Sequence, residues 1–336
     1  MRNTKYAKFA AAAMMYAAFA GYLYQPYLKN FGRWQYLLVV NAPLASLGCY
    51  VLSRRWVAGF GESFFAGAIY GFGPFTLGLV KFHPTAGLLV AAVPWLFCPA
   101  AFGPKTRWRW LRIPLAVLPF LAIVFFFQVS AHYRLFPVST QARLHLADLF
   151  GLLAPLIAAQ QNTTLIGFYH IPVAALIVGF SMLLVARRFG VIVIFAIGTT
   201  LAFCESCFEV SPIIWFTIPM LCCSVLIGEG MQGLASAGFA DRGWVLAAAA
   251  IMCALAIVTL LLATKYFQTF LGMGAEYARL FTEAGKMYVL GAIVAAIIFF
   301  MARAKLRMRQ LRQVVLYVAT AVDIFLGARF IVDKIL

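Results

Sequence analysis

Eleven stretches of about twenty mostly apolar residues, joined by connections that are mostly too short to hold a soluble domain, dominate this sequence. They fall at 6–24, 36–53, 58–80, 85–103, 113–131, 166–186, 189–210, 211–231, 244–264, 286–303 and 313–332. Each is long enough to cross a hydrocarbon core as a helix. In lipid, backbone groups must be satisfied within a segment or around a closed barrel, and none of these stretches alternates with period two as barrel strands do. The expectation is an all-α, polytopic transmembrane helix bundle of about 11 spans, forming a single integral membrane domain over 1–336. Only 11% of the residues are charged, against about a quarter in a water-soluble domain. A soluble enzyme is excluded.

Lysine and arginine total 27 against 10 acidic residues, and in a membrane protein such an excess gathers in the inner loops. With the N-terminus inside, seventeen of the 27 cations fall on the inner side, from Arg2 through Arg54, Arg55, Arg187 and Arg188 to Arg312. The loop near Arg242 carries only one. The expected topology has the N-terminus inside and the C-terminus outside, in an integral protein of a bacterial inner membrane. Trp34, Trp56, Trp108, Trp110 and Trp244 lie near span ends as interfacial anchors. The basic run 303–312 joins two spans, so anionic lipid rather than nucleic acid is its expected partner. Lys5, Lys8 and Ala18-Phe19-Ala20 resemble a secretory signal, a pattern that signal anchors share, and retention of this first span is expected.

The connection 132–165 is longer and divides the chain into possible halves, 1–131 and 166–336. Ser139 followed by leucines interleaved with Arg143, His145 and Asp148 reads as an outer interfacial segment, a helix lying on or dipping into the membrane. A second outer stretch, 266–285, carries Glu276, Arg279 and Glu283 at helical pairing distance. Gly61-Glu62 recurs as Gly228-Glu229, hinting at duplication. Both acids are expected in ion pairs at the inner surface near Arg54 and Arg55.

No cofactor or metal is expected. Of the seven cysteines, Cys204 and Cys207 have redox spacing, but outer-loop relay cysteines are missing and the remaining five act as small apolar residues within spans. Zinc lacks a second ligand pair. Haem lacks facing histidines, since His170 alone falls within a span.

Ionisable groups inside lipid are costly, so the few present mark the candidate site. Asp323 is about ten residues, hence roughly 15 Å, from the inner start of the last span, close to the midplane. Such a carboxyl group is either neutral or held by a neighbouring helix. Glu205 and Glu209 stand one turn apart near the outer boundary and can share a proton or a cation. His170, Asn41 and Gln128 are expected in the same outer layer, where adjacent helices would let them line one polar cavity. Gly67 and Gly71 have the spacing for close helix packing. Gly73-Pro74 can break the third span and expose backbone groups to a substrate.

Together these features favour a secondary transporter or exporter of a small solute or lipid-like molecule, with carboxylate-based proton or cation coupling. Coupling or substrate-binding candidates are Asp323, Glu205, Glu209, His170, Asn41, Gln128, Gly73 and Pro74. The chain carries none of the motifs of the small transporter groups whose size it shares. One alternative is a membrane-embedded transferase acting on a lipid-linked substrate at the outer leaflet, with Arg134 and Arg143 holding an anionic headgroup. The other is a non-catalytic structural subunit of a larger membrane complex. Expected partners are membrane lipids and a small-molecule or lipid-like substrate, and self-association into a homo-oligomer is compatible with the same features.

Overall fold

The computed structural model describes residues 2–32, 35–82, 86–103, 111–133, 150–160, 165–204, 208–238, 241–303 and 309–336, and every regular element among them is a helix. The first part comprises α1 (Arg2–Tyr24), α2 (Tyr36–Ser53), α3 (Phe60–Gly71), α4 (Pro74–Phe82), α5 (Ala86–Phe102) and α6 (Arg112–His132). Two short helices follow, α7 (Phe150–Leu153) and α8 (Pro155–Gln160). The remainder comprises α9 (His170–Val185), α10 (Phe189–Phe203), α11 (Pro212–Trp215), α12 (Thr217–Ser236), α13 (Arg242–Leu262), α14 (Lys265–Leu271), α15 (Ala275–Arg303) and α16 (Arg309–Ile335). Among the described residues, six stretches are long and apolar enough to cross a membrane: α2, α6, Pro212–Ser236, α13, Ala275–Ala302 and Arg309–Lys334. Helices α5, α9 and α10 are apolar but shorter. The chain is a helical bundle of the integral membrane class.

Helices depart from the apolar runs in three informative places. The run 58–80 is two helices, because α3 stops at Gly71 and α4 starts at Pro74. The run 166–186 begins with non-helical backbone, and α9 starts only at His170. The last connection on the expected outer side is shorter than hydropathy implies. There α15 already runs from Ala275, and Glu283 pairs with Lys286 at 2.8 Å on its exposed side. Hydropathy finds neither helix ends inside apolar runs nor polar turns that prolong a helix into water.

Packing centres on α3 and α12, which contact each other, with α2 against α3 and α9 against α12. Lipid tails supply no hydrophobic drive between helices, so close approach and hydrogen bonding must hold them. A side chain on Gly67 or Gly71 would collide with the Ser46 and Ala42 carbonyls of α2 respectively, so both glycines are needed for this approach. Helices α7 and α8 turn inward, where Ala154 and Ile157 are buried against Leu280, Phe281 and Ala284. Residues 134–149 and 161–164 of the expected interfacial segment lie outside the described residues.

One end of the bundle is rich in arginine. Gln232 accepts the Ala58 N–H at 2.7 Å, Arg54 donates to the carbonyls of residues 57–59, and Arg312 donates to the Ala237 carbonyl at 2.6 Å. Glu62 and Glu229, expected at the surface near Arg54 and Arg55, are buried and differently partnered. Glu229 pairs with Arg188 at 2.7 Å, and Glu62 accepts from Gln313 Nε2 at 3.0 Å. The two Gly-Glu repeats meet in space, Gly228 packing on the Glu62 carbonyl.

Candidate buried histidine–aspartate site

Asp323 lies one residue from the middle of the 27-residue α16, about 21 Å by helical rise from Arg309. It is 2% exposed. Facing it is the first turn of α9, where the amide N–H groups have no partners within the helix. Asp323 Oδ2 accepts the Ile171 N–H at 2.6 Å, and Oδ1 lies 3.3 Å from His170 Nδ1. The carboxylate therefore caps a helix that begins deep in the bundle, and the positive end of that helix favours negative charge there.

The sequence around His170 explains why α9 begins here. Tyr169 has extended backbone, and Pro172 falls in the first turn, where its missing N–H leaves no hydrogen bond unmade. Preceding it, residues 165–169 are non-helical and buried. Their backbone passes directly over α7: Gly167, with φ of 155°, lies against the Gly151 carbonyl, where any side chain would collide. Tyr169 then reaches across to the broken third span and donates its hydroxyl to the Phe72 carbonyl at 2.6 Å. Thr76 Oγ1 donates to the Tyr70 carbonyl at 2.6 Å. The break at Gly73-Pro74 is thus present, with carbonyls at the end of α3 taken up by protein hydroxyls.

His170 is 3% exposed, and its Nε2 has no hydrogen-bond partner among the described residues. Tyr288 of α15 meets the imidazole edge to face, ring centroids 5.0 Å apart, and donates its hydroxyl to the Leu153 carbonyl at 2.7 Å. With Nδ1–H directed at the carboxylate, the imidazole keeps a lone pair at Nε2 that can take a proton. The Asp323 oxygens face nitrogen groups rather than the oxygen ligands that hard cations require. No group of three or more potential metal ligands exists among the described residues.

The other sequence candidates do not join this site. Gln128 and Glu209 line a surface cleft of about 820 Å3 beside the end of α6, together with His132 and Phe208. Asn41 is buried in α2, which packs mainly on α1, α3 and α5. Glu205, Arg134 and Arg143 lie outside the described residues. Sequence reading missed Tyr169, Tyr288 and the Ile171 amide. Pro172, six residues into a run read as uninterrupted helix, was the available mark of a helix start.

Comparison with protein-family models, with curated proteins and with solved structures finds no match to this chain.

Proposed function

We propose that this protein is a secondary transporter or exporter of a small solute or lipid-like molecule, in which the His170–Asp323 pair carries a coupling proton. In this reading about eleven helices cross a bacterial inner membrane, with the N-terminus and the arginine-rich end inside and the C-terminus outside. One observation carries it: a buried carboxylate–imidazole pair at the middle of α16, at the meeting point of the C-terminal end of α3 and the N-terminal end of α9. Discontinuous helices whose ends converge at mid-depth are how transporters bring backbone dipoles to a substrate or coupling ion. The nitrogen environment of Asp323 favours a proton over a metal cation.

The experiment uses the purified full-length protein in liposomes loaded with a pH-sensitive dye. Vesicles are challenged in turn with sodium and potassium salts, amino acids, organic acids, sugars and quaternary amines. Wild-type protein is expected to move protons with one of these classes, and Asp323→Asn, which keeps an acceptor for the Ile171 N–H but has no carboxylate to take up a proton, is expected to abolish that movement. Solute-driven proton movement that is unchanged in Asp323→Asn would reject the coupling role and leave the carboxylate as a helix cap.

The alternative reading, a transferase acting at the outer leaflet, draws on the cleft formed by Gln128, His132 and Glu209. That reading expects Glu209→Gln, and not Asp323→Asn, to remove activity on a lipid-linked substrate.

A further inference from the structure

Helix α16 carries more polar groups on its buried side than capping α9 requires. Gln313, Tyr317, Thr320 and Asp323 succeed one another at spacings of four, three and three residues, which keeps them on one helical face. Gln313 donates to the Glu62 carboxylate, and the Tyr317 phenol faces the same carboxylate. Glu62 is 1% exposed. This buried carboxylate stands toward the arginine-rich end, on the same helix that carries Asp323 to mid-depth.

Thr320, between them, is the informative residue. A threonine inside an apolar helix ordinarily donates to the carbonyl four residues back. Thr199, Thr259 and Thr282 all do so in this protein, at 2.9, 2.8 and 2.8 Å. Thr320 is 1% exposed, yet its hydroxyl has no hydrogen-bond partner among the described residues. An unpaired hydroxyl in a buried site costs about 1–3 kcal/mol, so its position invites a partner such as water or a proton in transit. His170 Nε2, on the far side of Asp323, is unpaired in the same way.

We infer that this face of α16 is a proton route, with Glu62 as its loading group, Tyr317 and Thr320 as relays, and Asp323 with His170 as its terminus. The inference rests on the coupling role proposed above and adds the side from which the proton arrives, the arginine-rich end. Tyr317, Thr320 and Asp323 are separated by about 4.5 Å of helical rise at each step, a gap that one bridging water spans. In each transfer the accepting oxygen forms an O–H bond as the donor's breaks. The net result is that Glu62 passes from carboxyl to carboxylate while Asp323 passes from carboxylate to carboxyl, with no change in oxidation state. A metal cation would need oxygen ligands around Asp323, where the structure places an amide and an imidazole.

The test needs no knowledge of the transported solute. Full-length protein labelled with 15N-histidine is reconstituted in lipid, and bulk water is exchanged for D2O. The chain has four histidines, and the His170 signal is assigned by its absence in His170→Asn. Replacement of the His170 ring proton by deuterium is expected to slow by about a hundredfold in Glu62→Gln and in Thr320→Val. The His170 chemical shift should be retained in both, since Gln preserves the hydrogen bonds of Glu62 and Val preserves the shape of threonine. Unchanged exchange in both variants overturns the route. Slowed exchange in Thr320→Val alone removes Glu62 as the loading group. The coupling role is judged separately by Asp323→Asn in the dye-loaded vesicles: loss there with unchanged exchange here rejects the route alone. Slowed exchange with unaltered solute-driven flux in Asp323→Asn rejects the coupling role and leaves the route.

Discussion

Asp323 Oδ2 accepts the backbone N–H of Ile171 at 2.6 Å across 152 residues of sequence, so one helix caps another in the interior of the bundle. In water the first amides of α9 would find solvent or a local serine, threonine or aspartate. Here Tyr169 occupies the capping position without a side-chain cap, and a remote carboxylate supplies the acceptor. The same acid thereby acquires an imidazole neighbour and a fixed orientation. Structure and proposed chemistry draw on one side chain, and substitutions must be chosen to separate them.

Asp323→Asn keeps an acceptor for Ile171 and turns an amide donor toward His170 Nδ1, which accepts it once the imidazole proton moves to Nε2, so it should lower stability by less than about 1 kcal/mol. Asp323→Ala leaves the amide unpaired and should lower it by about 1–3 kcal/mol. Thermal unfolding in detergent, followed by exposure of the buried thiols Cys49 and Cys223, measures both. Equal losses in the two variants would refute the capping geometry.

Tyr169→Phe removes the only hydroxyl that reaches the Phe72 carbonyl among the described residues, at the point where α3 ends. A buried carbonyl left unpaired costs about 1–3 kcal/mol. Gly327→Ala should act through the same ring, because a side chain there would collide with Tyr169. The double variant should lose less than the sum of the two, a coupling that a double-mutant cycle on thermal stability reads directly.

Hydropathy was enough to read a helical membrane bundle, because burial in lipid is a property of composition and needs no partner, but it did not give the ends of the helices or the break between α3 and α4. The site was legible only in parts. Asp323, His170 and Gly73-Pro74 each stood out as anomalies within apolar runs, but nothing in their spacing says that α9 begins beside α16 or that Tyr169 reaches α3. Those relationships depend on which helices are neighbours, and a polar residue in lipid reveals a need for a partner without revealing its identity. Glu62 shows the same limit in reverse. Its place near Arg54 and Arg55 in sequence suggested a surface ion pair, whereas the fold buries the acid and brings Gln313 to it from 251 residues away.

Arg188→Ala strands Glu229, whose carboxylate is buried while the guanidinium is partly exposed. Removing one partner of a buried pair leaves the other charge uncompensated, and a loss of about 2–4 kcal/mol is expected. Glu229→Gln in the same chain should restore most of it, because the neutral amide needs no counter-charge. Thermal unfolding of the single and double variants measures this, and a double variant no better than Arg188→Ala would show that the pair is not what Arg188 contributes.

Gln232, Arg188, Arg312 and Gln313 tie several loops to one end of the bundle, so sidedness can be read from a single residue beyond the opposite end of α10. Cys204 follows Phe203, the last residue of α10, and is exposed, while α10 begins beside Arg188 at the arginine-rich end. In a variant retaining Cys204 as its sole cysteine, a membrane-impermeant maleimide added to intact cells should label it, because the proposed topology places that helix end outside. A variant retaining only Cys253, exposed midway along α13, should resist the same reagent, since a water-soluble maleimide does not enter the acyl chains that this part of an apolar span faces. Labelling of Cys204 only after the cells are opened would invert the topology, and with it the side from which protons enter at Glu62.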